Sequence, residues 1–181
     1  MMYSSDVFYI KPLKLEDALQ LNKLLVSNTN HFKQHLPQTL AANRTLEDSK
    51  SYIKKKTEAM GSNAEYVFTI KNQQTKTIAG LVILKNLDWT LKQGEFAYCI
   101  GKKFEGKGWR SEAVKAASNY AIETLGLKTL QIIAHKTNYR SVKVAKNSGF
   151  IWKETLKDEF TTENKPSLDM ELYELSKPAR F

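Results

Sequence analysis

The segment Glu95–Ala113, EFAYCIGKKFEGKGWRSEA, contains the pattern that decides the fold. Its first six residues alternate between two faces and favour extended backbone, which predicts a β-strand. The two faces are Phe96, Tyr98 and Ile100 on one side, and Ala97 and Cys99 on the other. Gly101, Gly106 and Gly108 then interrupt the alternation, and a helical pattern begins at Arg110. The segment therefore predicts a strand, a glycine turn and a helix.

This glycine turn has the features of an anion-binding site. Lysines at 102, 103 and 107 lie among the glycines. The start of a helix leaves backbone N–H groups without partners, and glycines let a ligand approach the main chain, so the arrangement suits a phosphate. An ordinary tight turn is the alternative. Two common phosphate motifs are excluded, because a P-loop needs Ser or Thr where Gly108 stands and a dinucleotide fingerprint needs glycine where Ser111 stands.

The remaining pattern, x-x-G-x-G-x-R over residues 104–110, resembles the acyl-CoA pyrophosphate loop of the GNAT family of N-acetyltransferases. That loop usually reads Gln/Arg-x-x-Gly-x-Gly/Ala. Gly108 matches the central glycine, whereas Glu105 stands at the Gln/Arg position and Arg110 at the final small position. The resemblance implies acetyl-CoA as cofactor. The residues it implies as cofactor ligands are Tyr98, Cys99, Ile100, Glu105, Gly106, Lys107, Gly108, Trp109, Arg110, Ser111, Asn138 and Ser141.

A second segment, NYRSVKVAKNSGF at 138–150, resembles the family pattern N-x-x-A/S-x-x-L-Y-x-x-x-G-F. Ala145 stands where many members have a tyrosine that protonates the departing thiolate. In the branch that resembles the RimJ/RimL ribosomal-protein N-terminal acetyltransferases, a hydroxyl three residues after the asparagine takes this role, and Ser141 occupies that position. Tyr139 and Tyr98 are alternative hydroxyl donors, and Ser141 could instead cap the helix that follows.

The resemblance implies direct acetyl transfer from a thioester to a primary amine in a ternary complex. An α-amine has a pKa of about 7.7 to 8.0, so it must lose a proton before it attacks. Glu95, at the start of the strand, is the candidate base, and a solvated surface acid is the alternative. Backbone N–H groups near Tyr98–Ile100 would meet the oxyanion, and Asn138 would orient the pantetheine arm or hold Ser141. Cys99 is predicted to be a small buried residue and not a nucleophile.

The patterns along the rest of the chain predict the order β-α-α-β-β-β-α-β-α-β-β. One helix covers Glu16–Val26, a loop-like region follows at 27–44, and a second helix begins with a capping box at Thr45 and Asp48. The other predicted strands are Val7–Lys14, Ala64–Lys71, Thr77–Lys85, Leu130–Ala134, Ile151–Phe160 and Pro166–Leu175, the last two around a polar turn at 161–165. This order is also that of the GNAT fold. We therefore expect an α/β fold, with a mixed, mostly antiparallel sheet of about seven strands and four helices, in one domain of residues 1–181.

The region between the first two helices forms one wall of the acceptor site in GNAT folds, which implies His31, Phe32, His35 and Leu36 as substrate-binding residues. The resemblance favours the N-terminal α-amine of a protein, such as a ribosomal protein, as the acceptor. A small-molecule amine (polyamine, aminoglycoside or amino acid) is the alternative. A non-catalytic basic module that binds RNA or the ribosome is a second alternative, although the aromatic pattern of an RRM is missing.

Composition sets the remaining expectations. The 181-residue chain has a formal net charge of +9, which indicates anionic partners such as coenzyme A or a ribosomal surface. The single cysteine indicates a reducing, cytoplasmic setting. No apolar run approaches the ~20 residues of a membrane span, and the N-terminus lacks the features of a signal peptide. The three histidines, including His135, lack metal-ligand spacing, so no metal is expected. A homodimer and association with the ribosome are further expectations.

Overall fold

The computed structural model describes residues 2–33, 36–160 and 167–176. Eight strands and six α-helices lie in these ranges. The strands are β1 (Tyr3–Ser4), β2 (Phe8–Pro12), β3 (Tyr66–Asn72), β4 (Ile78–Asp88), β5 (Gln93–Ile100), β6 (Thr129–Ala134), β7 (Ile151–Phe160) and β8 (Leu168–Ser176). The helices are α1 (Ala18–Ser27), α2 (Thr29–Phe32), α3 (Pro37–Ala41), α4 (Leu46–Gly61), α5 (Trp109–Glu123) and α6 (Tyr139–Asn147). The predicted turn at 161–165 lies outside the described residues.

The strands form one sheet in the order β1-β2-β3-β4-β5-β6-β8-β7. Only the contact between β5 and β6 is parallel, which confirms the predicted mixed, mostly antiparallel sheet. The described residues contain eight strands and not about seven, because β1 pairs with β2 through Tyr3 and Ile10. A strand of two residues is too short to show the alternation by which strands are recognised.

The four longer helices correspond to the four predicted ones. At the start of α4, Thr45 Oγ1 accepts a hydrogen bond from Asp48 N, and Asp48 Oδ2 accepts one from Thr45 N. The predicted capping box is therefore present. The region 27–44, predicted to be a loop, instead contains α2 and α3. These helices have four and five residues, too few for a helical period to stand out in the sequence.

Two apolar cores lie on opposite faces of the sheet. One packs the sheet against α5 and α6 and includes Phe96 and Ile100. The other packs it against α1 and α4 and includes Cys99, with Ala97 against it. The side chains of β5 therefore alternate between the two cores as predicted. Because β5 lies in the middle of the sheet and leads directly into the glycine turn, both cores hold the turn in place.

Candidate active site

The glycine turn before α5 is open and has the backbone geometry that requires glycine. Gly106 and Gly108 have φ angles of +74° and +78°, in the left-handed region. A Cβ added to Gly106 would meet no described atom within 4 Å. The turn is therefore not filled by side chains of the described residues.

The start of α5 presents backbone donors to this turn. Gly108 is the N-cap residue, and no side chain among the described residues caps the helix. The first backbone hydrogen bond of α5 is donated by Glu112 N to Gly108 O, at 3.2 Å. The N–H groups of Trp109, Arg110 and Ser111 thus have no acceptor within the helix, and they lie at its positive end. This arrangement fits a diphosphate.

A cavity of about 600 Å³ opens beside the turn, and we call it the glycine-turn cavity. Its lining is basic, since Arg110, Arg140 and Lys143 contribute cations and Glu105 contributes a carboxylate. The sequence prediction missed Arg140, Lys143 and Asn147. All three lie on α6 at spacings of three and four residues, so the helical period could have placed them on one face. Predicted residue Trp109 is 5% exposed and stacks on Phe104, so its side chain belongs mainly to the core.

Arg110 stands where the family pattern has a small residue. Its Nε is buried and has no hydrogen-bond partner among the described residues. Burial lowers the pKa of Arg110, while the nearby Tyr98 and Glu105 act in the opposite direction. An unpartnered buried donor is costly unless a ligand satisfies it. Together with the free amides of α5, this donor indicates that an anionic or carbonyl-bearing ligand fits here.

The two strands β5 and β6 separate beyond Glu95, and we call the opening the strand gap. Among the described residues they pair only from Gln93–Thr129 to Glu95–Gln131. Gly101, one residue after β5, donates its N–H to Ala79 O at 2.7 Å. The N–H groups of the odd-numbered residues of β5 therefore also point toward β4. Because amide directions alternate along a strand, the N–H groups of Tyr98 and Ile100 point into the strand gap. They are placed to donate to a ligand there.

A pair of hydroxyl groups connects β5 to α6 beside the strand gap. Tyr98 Oη lies 2.8 Å from Ser141 Oγ and 3.3 Å from Ser141 O. Burial raises the pKa of Tyr98 to about 12. Asn138 Oδ1 accepts a hydrogen bond from Ser141 N at 3.2 Å, so Asn138 and not Ser141 caps α6. Tyr139, the other candidate donor, is 76% exposed.

Glu95 lies on the other side of the sheet from Tyr98. Its carboxylate accepts a hydrogen bond from Asn86 Nδ2 at 2.7 Å and forms an ion pair with Lys85 Nζ at 3.0 Å. It shares the face of Cys99, toward α1 and α4, because residues two apart on a strand point the same way. Glu95 and Ser141 therefore lie on opposite faces of the sheet, and neither lines a described cavity. The Cys99 thiol is 4% exposed, and burial raises its pKa to about 12.

A second cavity, of about 570 Å³, lies at the end of α1, and we call it the α1-end cavity. Its lining residues are Val26, Ser27, Asn28, Thr29, Asn30, His31, Lys102, Glu105 and Arg140. Glu105 Oε1 lies 3.2 Å from His31 Nε2 and 2.6 Å from Arg140 Nη1. Because Glu105 and Arg140 line both cavities, this ion-pair cluster stands between them.

The predicted acceptor wall is only partly on the surface of this cavity. His31 lines it, as expected. Phe32 and Leu36 are 3% and 8% exposed and belong to the core under α1 and α4, so the structure does not support direct contact with a substrate. The resemblance assigned the whole region between the first two helices to the wall, and it does not show which of its side chains turn inward. His35 lies outside the described residues.

A glycine turn that presents bare amides, beside a gap between two strands, suits a ligand that carries both a diphosphate and a carbonyl group, and acetyl-coenzyme A is such a ligand. Residues 8–151 match the family model described as acetyltransferase (GNAT) domain, and the chain belongs to that family. The protein is an acetyl-CoA-dependent N-acetyltransferase, which confirms the predicted class of enzyme, fold and cofactor.

The relatives' names point to different acceptors, or to none. A probable N-acetyltransferase, YjcK of Bacillus subtilis, is 26% identical over 150 residues, covering 82% of this chain and 83% of that protein. A putative ribosomal N-acetyltransferase of the same organism, YdaF, is 36% identical over 75 residues, or 41% of each chain. The spermidine N(1)-acetyltransferase of Escherichia coli is 32% identical over 82 residues, covering 45% of this chain and 44% of that protein.

Solved structures share the fold at low sequence identity. A ribosomal-protein-S5-alanine acetyltransferase from Vibrio fischeri has a TM-score of 0.89 at 20% identity, covering 97% of this chain and 96% of that chain. The microcin C7 self-immunity acetyltransferase MccE, in complex with acetyl-CoA and AMP, has a TM-score of 0.85 at 23% identity, covering 96% and 94%. In the described ranges, none of the helices has the length and apolar character to cross a membrane.

Proposed function

We propose that this enzyme acetylates the N-terminal α-amine of a protein, such as a ribosomal protein. The observation that carries the proposal is the charge of the α1-end cavity. Glu105 is the one carboxylate among its described lining residues, and it is already paired with His31 and Arg140. Lys102 adds a further cation. A polyamine with several positive charges would meet net repulsion here, whereas a peptide terminus brings one amine.

The basicity of the acceptor supports the same conclusion. An α-amine has a pKa of about 7.7 to 8.0, so near neutrality a substantial part of it is already uncharged. An alkyl amine similar to lysine, with a pKa of about 10.4, is almost entirely protonated at that pH. A single carboxylate such as Glu95 suffices to take the remaining proton of an α-amine. Glu95 lies on the α1 and α4 face of the sheet, which is the face that we assign to the acceptor.

Acetyl-CoA supplies the acetyl group as a reactive thioester. In this proposal the N–H groups of Trp109, Arg110 and Ser111 hold the diphosphate, because they have no partners within α5. Arg140 and Lys143 add positive charge to the same cavity. The glycine turn allows the main chain to approach the ligand closely.

The residues around the strand gap then divide the proton transfers between the two faces of the sheet. Glu95 takes a proton from the amine, directly or through one water. The N–H groups of Tyr98 and Ile100 stabilise the negative charge that develops on the acetyl oxygen. Ser141 gives a proton to the departing thiolate, which leaves as the thiol. Asn138 fixes the first turn of α6, in which Ser141 lies.

A panel of acceptors tests the proposal. Peptides with N-terminal Ala, Ser or Met would be compared with the same peptides blocked at the terminus, and with spermidine, an aminoglycoside and free amino acids. We expect kcat/KM to be highest for an unblocked peptide. A preference for spermidine would contradict the proposed acceptor and leave the enzyme class unchanged. No turnover of any amine, with acetyl-CoA bound, would point to an acceptor outside the panel's chemistry and count against a protein terminus.

Four expectations from the sequence stay predictions. These are a single domain over residues 1–181, a homodimer, association with the ribosome and a cytoplasmic location. Gel filtration with light scattering checks the dimer. Sedimentation with purified ribosomes at increasing salt checks the ribosomal association.

A further inference from the structure

We propose that Tyr98 is a positioning residue for the proton-donating serine: its hydroxyl donates to Ser141 Oγ and thereby turns the Ser141 proton toward the strand gap. The inference rests on the proposed role of Ser141 as the acid. Tyr98 keeps its own proton throughout. Ser141 gives its proton to the sulfur as the carbon–sulfur bond breaks. A proton from water then restores the Ser141 hydroxyl, and solvent takes up the proton that Glu95 removed from the amine.

The 2.8 Å contact allows either hydroxyl to donate, and the second contact and the acidities of the two groups favour Tyr98 as the donor. A hydroxyl has one proton and accepts up to two hydrogen bonds. The Tyr98 Oη to Ser141 Oγ distance of 2.8 Å is normal for an O–H···O bond, whereas the 3.3 Å to Ser141 O is too long for a good one. A phenol is also the stronger acid of the two, and so the better donor. We therefore assign Tyr98 as the donor to Ser141 Oγ, which leaves the Ser141 proton for another acceptor.

Both partners are held by rigid elements. Tyr98 lies within β5, where it is opposite Val82 of β4, and its ring packs against the core under α5. Ser141 lies in the first turn of α6, and its N–H is bonded to the cap residue Asn138. The hydroxyl of Ser141 is thus fixed from two directions. This contact also joins β5 to α6, the two elements on either side of the cavity that we assign to the cofactor.

The surroundings favour a neutral, donating phenol. Burial raises the pKa of Tyr98 to about 12, so the phenol keeps its proton throughout the range of ordinary assays. Ser141 and Arg110 act in the opposite direction on this pKa, and neither reverses it. In a site with little water, a hydrogen bond that polarises Ser141 Oγ strengthens the bond that Ser141 itself donates.

A double-mutant cycle separates this role from simple packing. The proteins are the wild type, Tyr98→Phe, Ser141→Ala and the double variant, and Tyr120→Phe is the control. Tyr120 packs edge-on against Tyr66 and Phe68 in the same core and shows no contact with Ser141. We expect Tyr98→Phe to lower kcat about fivefold to tenfold, the value of one hydrogen bond, with the KM for acetyl-CoA unchanged. The double variant should be no slower than Ser141→Ala, because Tyr98 acts through Ser141.

A second readout does not depend on turnover. The thiol of coenzyme A bound to each protein is titrated by the ultraviolet absorbance of its thiolate. A hydrogen bond from Ser141 stabilises the thiolate, so both single variants should raise the pKa of the bound thiol, and Tyr120→Phe should not. Replacing Tyr98 with 3-fluorotyrosine, a stronger donor of nearly the same shape, should lower it. Thermal melts of all variants report any loss of folding, and the fluorotyrosine protein keeps the test decisive if Tyr98→Phe is unstable.

The outcomes distinguish a failure of the proposed role of Ser141 from a failure of the proposed role of Tyr98. If Ser141→Ala is as active as the wild type, Ser141 is not the acid, and both the mechanism and the inference fail. If Ser141→Ala is slow while Tyr98→Phe is normal in rate and in the thiol pKa, only the role of Tyr98 is overturned. Losses that multiply in the double variant would likewise show that Tyr98 acts independently of Ser141.

Discussion

Replacing Gly108 with aspartate tests whether the glycine turn holds the diphosphate. Gly108 has φ and ψ of 78° and −13°, and an added Cβ would meet only Glu112 Oε1, at 4.0 Å. The cost to folding is therefore backbone strain without a steric clash, about 1–2 kcal/mol. For a chain of this length each kcal/mol lowers Tm by about 2–4 °C, so the variant should stay folded at room temperature.

The effect on the cofactor is larger than the effect on folding. A carboxylate at this position would lie roughly 5–8 Å from a diphosphate on the α5 amides, and like charges repel by about 2–3 kcal/mol at an effective dielectric constant near 20. That corresponds to a loss of about 30-fold to 150-fold in affinity for acetyl-CoA. The loss should shrink at high salt because the site is open to solvent.

Gly126→Asp is the matched control. Gly126 has a φ of +75°, and an added Cβ would meet no described atom within 4 Å. The control thus introduces the same strain and the same charge, in the turn that follows α5 at its far end. Calorimetric titration with acetyl-CoA should show weak binding to Gly108→Asp and normal binding to Gly126→Asp. Equal affinities for the wild type and Gly108→Asp would refute the assignment of the glycine turn, and an equal loss in the control would show a general effect of charge.

Three further predictions concern the catalytic groups and the buried thiol. Glu95→Gln should lower kcat for peptide acceptors about 10²-fold or more, with acetyl-CoA affinity retained. Glu65→Gln also breaks an ion pair with a lysine, and it should leave kcat unchanged. A wild-type rate that is flat from about pH 6 to 9 would argue against a base. Ser141→Ala should cost roughly tenfold in kcat and Tyr139→Phe almost nothing; the reverse result would transfer the acid role to Tyr139. Burial raises the pKa of the Cys99 thiol from 9.0 to about 12, so the unfolded chain loses this proton at a lower pH than the folded protein does. Tm should therefore fall as pH rises from about 9 to 12, and it should fall less steeply in Cys99→Ala. Identical slopes of Tm against pH in the two proteins would contradict a buried, neutral Cys99.

The sequence was sufficient for the features that depend on local backbone geometry. Gly106 and Gly108 were recognisable because left-handed backbone needs glycine, and the structure has both in that region. The capping box at Thr45 and the alternation along β5 follow from contacts within a few residues, so their patterns are visible in one stretch of chain. These local features, in the right order, were enough to predict the fold class.

The features that depend on distant side chains were not predictable. The carboxylate of Glu105 contacts Arg140, 35 residues away, and His31 in a different part of the chain. No sequence spacing records such a meeting, because it depends on how α2 and α6 pack around the turn. The inward orientation of Phe32 and the contact between Tyr98 and Ser141 are of the same kind.

The sheet consists of two plates, β1–β5 and β6–β8, and the described residues join them by only three residue pairs between β5 and β6. Gly94 lies at this joint, where an added Cβ would come within 2.9 Å of Leu84 and Leu87, so the joint tolerates no larger residue without rearrangement. The apolar core under α5 and α6 also spans both plates, since it contains Phe96 of β5 and Leu130 of β6. A ligand that bonds to both plates would join them across the strand gap, and its binding should slow amide exchange in β5 and β6 together.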